Sequence, residues 1–280
     1  MKSIIITGCN GQLGRALNKQ FASLPDYETV NTDVGELDIT NIDNCLELAR
    51  KIKPYAIINC AAHTGVDACE TDRDNAYRIN AIGPRNLSIA ASQTGAKMIH
   101  ISTDYVFDGF GDRPLMEFDR TNPQGMYGMT KLAGENFVKD FAKDYFILRT
   151  AWLYGEGKNF VKTMLRLSET NDTVRVVSDQ FGTPTSADEL AKAICYLLPT
   201  ENYGIFHATC EGDCNWAEFA EEIFRLAGKN TKVEKITTAE FAAPAPRPAY
   251  SVLDNYMFRL TTDFTFADWH DAVEEYIKAL

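Results

Sequence analysis

The sequence predicts an α/β protein, a doubly wound parallel sheet with a smaller C-terminal lobe. Three observations predict it. Short apolar, β-branched runs alternate with helical stretches over the first 150 residues. Those runs are apolar nearly throughout, as strands covered on both faces must be. A glycine-rich turn joins the first run to the first helical stretch. A chain of 280 residues is long enough for one large or two modest domains. The pattern loosens after residue 150, so 1–150 reads as the parallel-sheet domain and 151–280 mainly as the second lobe, with later segments free to return to the first.

Each element has its own signal. "SIIIT" (3–7) is a strand and 11–22 a helix; "ETVNT" (28–32) is the second strand. "NIDNCLELARKIK" carries Ile42, Leu46 and Ala49 at helical spacing, and Pro54 follows its end. "YAIINC" (55–60) is the third strand, 74–93 a helix ended by Gly95, and "KMIHIST" (97–103) the fourth strand. A helix containing Tyr127 precedes the fifth strand, "YFILRT" (145–150). Beyond it, 158–168 is helical, with Phe160, Met164 and Leu167 on one stripe, and "TVRVVS" (173–178) is a strand. "SADELAKAICYLL" (186–198) is a helix with Ser186 as N-cap and Glu189 completing a capping box. "NWAEFAEEIFRLAG" (215–228) is a helix ended by Gly228. The proline-rich stretch 241–251 cannot be helix and reads as an extended surface loop.

Composition bounds the partners. Apolar residues make up 45% and charged residues 24%, an ordinary balance for a water-soluble chain. A net charge of −11 repels phosphate backbones and acidic membranes, so neither nucleic acid nor membrane is expected as a partner. "MKSIIITG" runs straight into a strand and turn rather than a secretory leader. The seven cysteines form no CxxC pairs, and Cys210 with Cys214 lacks the second pair a zinc site needs. The expectation is a reduced, cytoplasmic protein without a structural metal.

The turn "TGCNGQLG" spaces Gly8, Gly11 and Gly14 as GxxGxxG between strand and helix. Glycines there let the backbone approach a pyrophosphate, whose charge the helix N-terminus holds. A plain βα turn would use the same glycines for packing; strand, turn and helix in register favour the dinucleotide-binding, Rossmann reading. Asp33 lies just past the second strand, where a carboxylate suits ribose hydroxyls, and Asp38 follows in "LDIT". That charge repels a 2′-phosphate while Arg15 beside the last glycine attracts one, so NADH and NADPH both remain open.

"HISTDYVFDG" (100–109) places Ser102, Thr103 and Asp104 at the carboxyl end of the fourth strand, where open parallel sheets bind ligands. "GMYGMTKLAGE" (125–135) sets Tyr127 and Lys131 four residues apart on one helix face. Singly, these are a turn cap, a packing residue and a chance pair; together they converge beside a nicotinamide. A free tyrosine has a pKa of about 10, and a neighbouring ammonium moves it toward neutral pH, where it can serve as a proton donor.

With the glycine turn and the hydroxyl after strand four, YxxxK resembles the extended short-chain dehydrogenase/reductases. The resemblance narrows on "GQLG", "NCAAHTGVDACE", "STDYVFDG", "YGMTKLAGE", "LRTAWLYG", "NFVKTMLRL", "VVSDQFGTPTSADELA" and "PRPAYSVLD". Together these are similar to the dTDP-4-dehydrorhamnose reductase family, from residue 4 to about 254. YxxxK belongs to the whole superfamily; "STDYVFDG" with "DQFGTPT" is particular to this branch.

The resemblance implies NADPH (or NADH) as cofactor and reduction of the C4 ketone of a dTDP-linked 4-keto-6-deoxy sugar, with 151–280 as a substrate-binding lobe. It implies Thr103, Tyr127 and Lys131 as the catalytic trio. Gly11, Gln12 and Leu13, between Gly8 and Gly14, would face the pyrophosphate. Asp33, Asp38 and Ile39 would lie near the adenosine, and Ala61, Ala62 and Thr64 along the cofactor. Thr103 and Asp104 would contact the sugar, Trp152 would wall its pocket, and Arg247 would meet the nucleotide diphosphate. Some relatives carry a magnesium-binding glutamate two residues after the last glycine; here that residue is Ala16, which implies a monomer or weak homodimer without metal. Cys60 stands where alanine is usual, a harmless small swap. Two alternatives stand beside this reading. A related dehydratase or epimerase is one, although Tyr105 occupies the place of the glutamate that dehydratases need after Asp104. A non-catalytic dinucleotide-binding subunit, like the regulatory β-subunit of methionine adenosyltransferase, is the other.

Overall fold

A six-stranded sheet organises the computed structural model, which describes residues 1–280. Its strands are β1 (Lys2–Thr7), β2 (Tyr27–Thr32), β3 (Ala56–Asn59), β4 (Lys97–Thr103), β5 (Tyr145–Thr150) and Gly204–His207. They lie in the order 204–207, β5, β4, β3, β1, β2, and every neighbouring pair is parallel. The chain builds outward from β1 to β2, then returns to place β3 on the other side of β1. Strand order therefore reverses between β1 and β3, and the crevice there is where such sheets receive ligands.

Alternation along the strands divides the core. Ile4 and Ile6 face one layer, with Leu17, Phe146, Leu190, Ile194 and Phe206; Ile5 faces the other, with Ile57, Leu87, Met98 and Ile147. The first layer is covered by the helices Gln12–Phe21 and Ala187–Leu197, which pack on each other. Segments past residue 150 thus supply both a sheet strand and a covering helix. A separate core holds Tyr154, Val161, Phe219, Ile223, Trp269 and Val273, beside the parallel pair Thr173–Val177 and Lys232–Ile236.

Two local expectations need correction. The helix expected over 74–93 is broken into Arg73–Tyr77, a π-turn over Arg78–Ile82, and Gly83–Thr94; its end at Gly95, with φ 71°, is as read. The wide turn carries Asn80 into the interior, where a hydrogen-bonding site awaits it. Ser186 does cap its helix, accepting from the Asp188 amide at 3.2 Å, but no capping box forms. The Glu189 carboxylate instead accepts from Lys192 at 2.6 Å and from the Ala267 amide at 3.1 Å, because the C-terminal segment passes beside it. A capping box does form where none was expected, between Asn215 and Glu218. The strand Gly204–His207 and the helices Val66–Thr71, Tyr256–Thr261 and Trp269–Lys278 also went unread.

The proline-rich stretch runs without helix from Ala242, and neighbouring loops pin it. Tyr250 donates its amide to the Gly109 carbonyl at 3.0 Å, and Phe181 donates to Ala249 at 2.9 Å. No helix is long and apolar enough to cross a membrane.

Candidate active site

The glycine turn forms one wall of a cleft of about 900 Å³ at the carboxyl ends of the sheet strands. Gly8 takes φ +63°, and a Cβ there would meet the Ala61 backbone at 2.8 Å, so the turn lies flat against the end of β3. The helix Gln12–Phe21 begins on Gly11 with no side-chain cap and no acidic residue in its first turn. Its leading amides are therefore open to an anion. Gly8, Gly11, Gln12, Leu13 and Gly14 all border the cleft. Leu13 does so through its backbone, since its side chain is buried in the core, and Gln12 accepts from the Gly155 amide at 2.8 Å.

Asp33, Asp38 and Ile39 border the adjoining stretch of the cleft. Asp33 accepts from the amides of Asn10 (3.2 Å) and Val34 (2.9 Å), while Asp38 caps the turn at Thr40. Arg15 borders this region: its Nε donates to the Asn10 carbonyl at 2.9 Å while Nη1 ion-pairs with Glu156 at 2.5 Å, and the side chain is half-exposed. Ala61, Ala62 and Thr64 line the cleft past β3.

At the far side Thr103, Asp104, Tyr127, Lys131 and Trp152 come together. Thr103 is the last residue of β4, and its hydroxyl donates to Asp104 Oδ1 at 2.9 Å and accepts from the Tyr105 amide at 3.3 Å. Tyr127 sits in the first turn of the helix Met126–Phe141. A Cβ on Gly128 would lie 2.1 Å from the Tyr105 carbonyl, so only glycine lets this helix approach the chain after β4. The Tyr105 ring meets Tyr127 edge-on at 5.4 Å. Trp152, at φ +48°, holds a backbone conformation that side chains disfavour and stacks on Trp216 with centroids 3.5 Å apart.

Electrostatics here follow burial. Desolvation raises the Tyr127 phenol above its ordinary value, with Thr103 acting against the shift. The expectation that Lys131 pulls this phenol toward neutrality is not what the geometry gives. Lys131 turns inward, donating Nζ to the Ile101 carbonyl at 2.5 Å, and burial brings its own pKa down to about 8. Asp104 is 2% exposed, and desolvation raises its carboxyl to about 6. Its Oδ2 makes no hydrogen bond, although Ser251 and Thr103 temper the shift.

Arg247 is the expected residue that does not line this cleft. Its guanidinium is clasped by Asp67, with both hydrogen bonds at 3.0 Å, and the Ala245 amide joins the same carboxylate at 3.1 Å. The pairing holds Asp67 below the usual carboxylate range. Ala16 is buried in the sheet core and offers no ligating atom.

Several residues of the site were not read from sequence. Asn80 accepts from the His63 amide at 2.8 Å and donates to Thr130 at 3.2 Å in the helix that carries Tyr127; the π-turn that delivers it has no sequence signature. Trp216, against Trp152, is visible only once two distant segments meet. Glu135 was legible, since it continues the Tyr127–Lys131 face by another four residues.

The geometry has close counterparts. Residues 1–280 match the family model described as RmlD substrate binding domain. A dTDP-4-dehydrorhamnose reductase from Aggregatibacter actinomycetemcomitans is 38% identical over 287 residues, covering 98% of each chain. The crystal structure of a dTDP-4-dehydrorhamnose reductase from Clostridium acetobutylicum is 54% identical, covers 99% of each chain and superposes with a TM-score of 0.97. That of a Bacillus anthracis dTDP-4-dehydrorhamnose reductase in complex with NADP is 43% identical, covers 100% of this chain and 99% of its own, and has a TM-score of 0.97. With the whole chain matched by the family model and by full-length relatives, this protein belongs to the RmlD family of dTDP-4-dehydrorhamnose reductases.

Proposed function

We propose that the protein reduces the C4 ketone of dTDP-4-dehydro-L-rhamnose to dTDP-L-rhamnose with NADPH, or NADH, for cell-surface polysaccharide synthesis. The observation that carries this reading is the convergence of Thr103, Tyr127 and Lys131 on one cleft with an uncapped helix N-terminus. The residues present fit the cofactor. Gly11 leaves room above the open amides, where a Cβ would meet only the Gly8 carbonyl at 3.2 Å. Asp33 and Asp38 are the carboxylates for the adenosine ribose, and Ala61, Ala62 and Thr64 wall the cofactor between its two ends.

When bound, the reduced nicotinamide supplies hydride to the sugar carbonyl. Tyr127 gives the proton that the developing alkoxide needs. Burial keeps its phenol loaded until the alkoxide forms. Thr103 receives the Tyr105 amide and leans on Asp104, so its hydroxyl is held in place to hydrogen-bond at the carbonyl. Lys131 spends one donor on Ile101 and retains two for the nicotinamide ribose. Trp152 offers an apolar face to the sugar. Arg247, outside the cleft lining and clasped by Asp67, would serve as the diphosphate anchor by exchanging Asp67 for phosphate oxygens of like geometry. The second lobe, within 151–280, carries the sugar, and the protein works in the cytoplasm as a monomer or weak homodimer.

The test incubates pure protein with dTDP-4-keto-6-deoxy-L-mannose and either NADPH or NADH, following absorbance of the reduced cofactor. Oxidation with one or both is expected; no oxidation with either sinks the reading.

A further inference from the structure

Behind the catalytic trio lies a buried ion pair that the reduction itself does not use. Tyr127, Lys131 and Glu135 follow one another at four-residue spacing on the helix Met126–Phe141. Glu135 is 0% exposed, and both carboxylate oxygens are engaged. Oε1 accepts from Ser102 Oγ at 2.6 Å and from Arg149 Nε at 2.8 Å; Oε2 accepts from Arg149 Nη2 at 2.7 Å. Arg149, on β5, spends its remaining nitrogen on the Glu117 carbonyl at 3.1 Å. Ser102 immediately precedes Thr103. The Glu135 carboxylate therefore joins three elements: the strand bearing Thr103, the helix bearing Tyr127 and Lys131, and the strand beside them.

We propose that Glu135 is a positioning residue: it ties the Thr103 strand to the Tyr127 helix and holds Lys131 as an ammonium inside a dry site. The proposal rests on the reading that Lys131 acts in that form.

Burial of an ammonium favours its neutral form, and a nearby anion opposes this. Three other titratable groups belong to the same surroundings. Cys60, past β3, is a thiol pushed up to about 12 by burial. His100, on β4, is held neutral by burial, with Lys131 adding to the effect. Tyr127, on the same helix, is a phenol raised by burial. Glu135 is the remaining neighbour, and as a carboxylate it is the anion that favours the ammonium. Arg149 neutralises Glu135 from the side away from the cleft, which lets a carboxylate persist without solvent.

Two variants test this. Glu135→Gln removes the anion but leaves Arg149 buried and unpaired, which can unfold the chain. Glu135→Gln with Arg149→Met removes both charges together and is expected to keep the fold. The first readout is the titration of Lys131 in the cofactor-free protein, followed by NMR at Cε and assigned by its loss in Lys131→Met. The second is the pH profile of kcat for reduction of the dTDP-linked 4-keto sugar. In the folded double variant the Lys131 midpoint should fall, by less than in a folded Glu135→Gln, because the Arg149 cation leaves together with the anion. The alkaline limb of kcat should move down with it. An unchanged Lys131 midpoint in a correctly folded double variant overturns the proposal, because a merely structural brace would alter stability and leave this titration alone. If the midpoint falls and the kcat limb stays, Glu135 does govern Lys131, and the ammonium's part in reduction is what fails.

Discussion

Tyr127 is the residue on which turnover should depend most sharply. Tyr127→Phe removes one hydroxyl from a buried ring, so fold and cofactor affinity should survive while kcat drops by about a hundredfold or more. Turnover like that of the parent would reject Tyr127 as the proton donor. Lys131→Met should instead harm both kcat and cofactor affinity, because the ammonium is proposed to bind the ribose as well; an unchanged cofactor Kd removes that second role. Asp104 offers a test without substrate. Its folded pKa, about 6, stands above the ordinary carboxyl value of 3.8. The native state therefore binds this proton more tightly than the unfolded chain. The resulting stability is present in acid and is lost as pH rises through 6. At about 1.4 kcal/mol per unit, Asp104→Asn should spare the protein a loss on the order of 2–3 kcal/mol between pH 4 and 7. Urea unfolding at both pH values checks this, and identical pH dependence in the two proteins would show that Asp104 is not desolvated. At this scale the sequence was informative wherever spacing alone implies a shared face, as for Tyr127 and Lys131. It could not tell that Lys131 would turn to the Ile101 carbonyl, because that choice depends on where β4 ends relative to the helix.

Two elements carry the geometry of the site. The helix Met126–Phe141 rides on Gly128 against the Tyr105 carbonyl, where an added Cβ would lie at 2.1 Å. Gly128→Ala must push the helix away and take Tyr127 from Thr103. Overpacking of this kind costs about 1–3 kcal/mol, and kcat should fall at least about tenfold, as misplaced reacting groups do. A kcat within twofold of the parent would mean the helix absorbs the methyl elsewhere. The proline-rich segment is the second element. Its prolines lower the entropy lost on ordering, and the Asp67 clasp fixes the position of the Arg247 fork. Arg247→Ala should raise KM for the nucleotide sugar by about tenfold, equivalent to about 1.4 kcal/mol, and leave KM for the nicotinamide cofactor nearly unchanged. Equal losses for both ligands would remove Arg247 as the diphosphate anchor. The sequence showed this segment to be non-helical because proline has no amide to give. It did not show Asp67 as the partner, since the two residues are 180 positions apart.

For the whole molecule, the buried Ala16 provides no ligand where some relatives carry a metal-binding glutamate. Activity and sedimentation coefficient should both be insensitive to EDTA and to added magnesium; loss of activity in EDTA, restored by magnesium, would overturn this. The parallel sheet itself was written in the chain. Apolar β-branched runs such as β1, β3, β4 and β5 favour burial on both faces, and alternation with helices makes a doubly wound sheet the arrangement that covers them, with the more polar β2 at its edge. The glycine turn, Thr103 and the Tyr127–Lys131 pair were legible for the same reason, because each depends on local backbone geometry or on the strand end it follows. What tertiary structure alone decided is long-range. Residues 204–207 become the outer strand beside β5, although a four-residue run is too short to announce itself. Glu189 abandons its own helix cap for Ala267, and Trp216 comes to stack on Trp152, because the second core closes over them. Asn80 is carried inward by a π-turn whose extra residue per turn is stabilised by the hydrogen bonds it makes with His63 and Thr130. Spacing along a chain sets which side chains share a face; which faces then meet is settled by packing between segments far apart in sequence, and no local pattern records it.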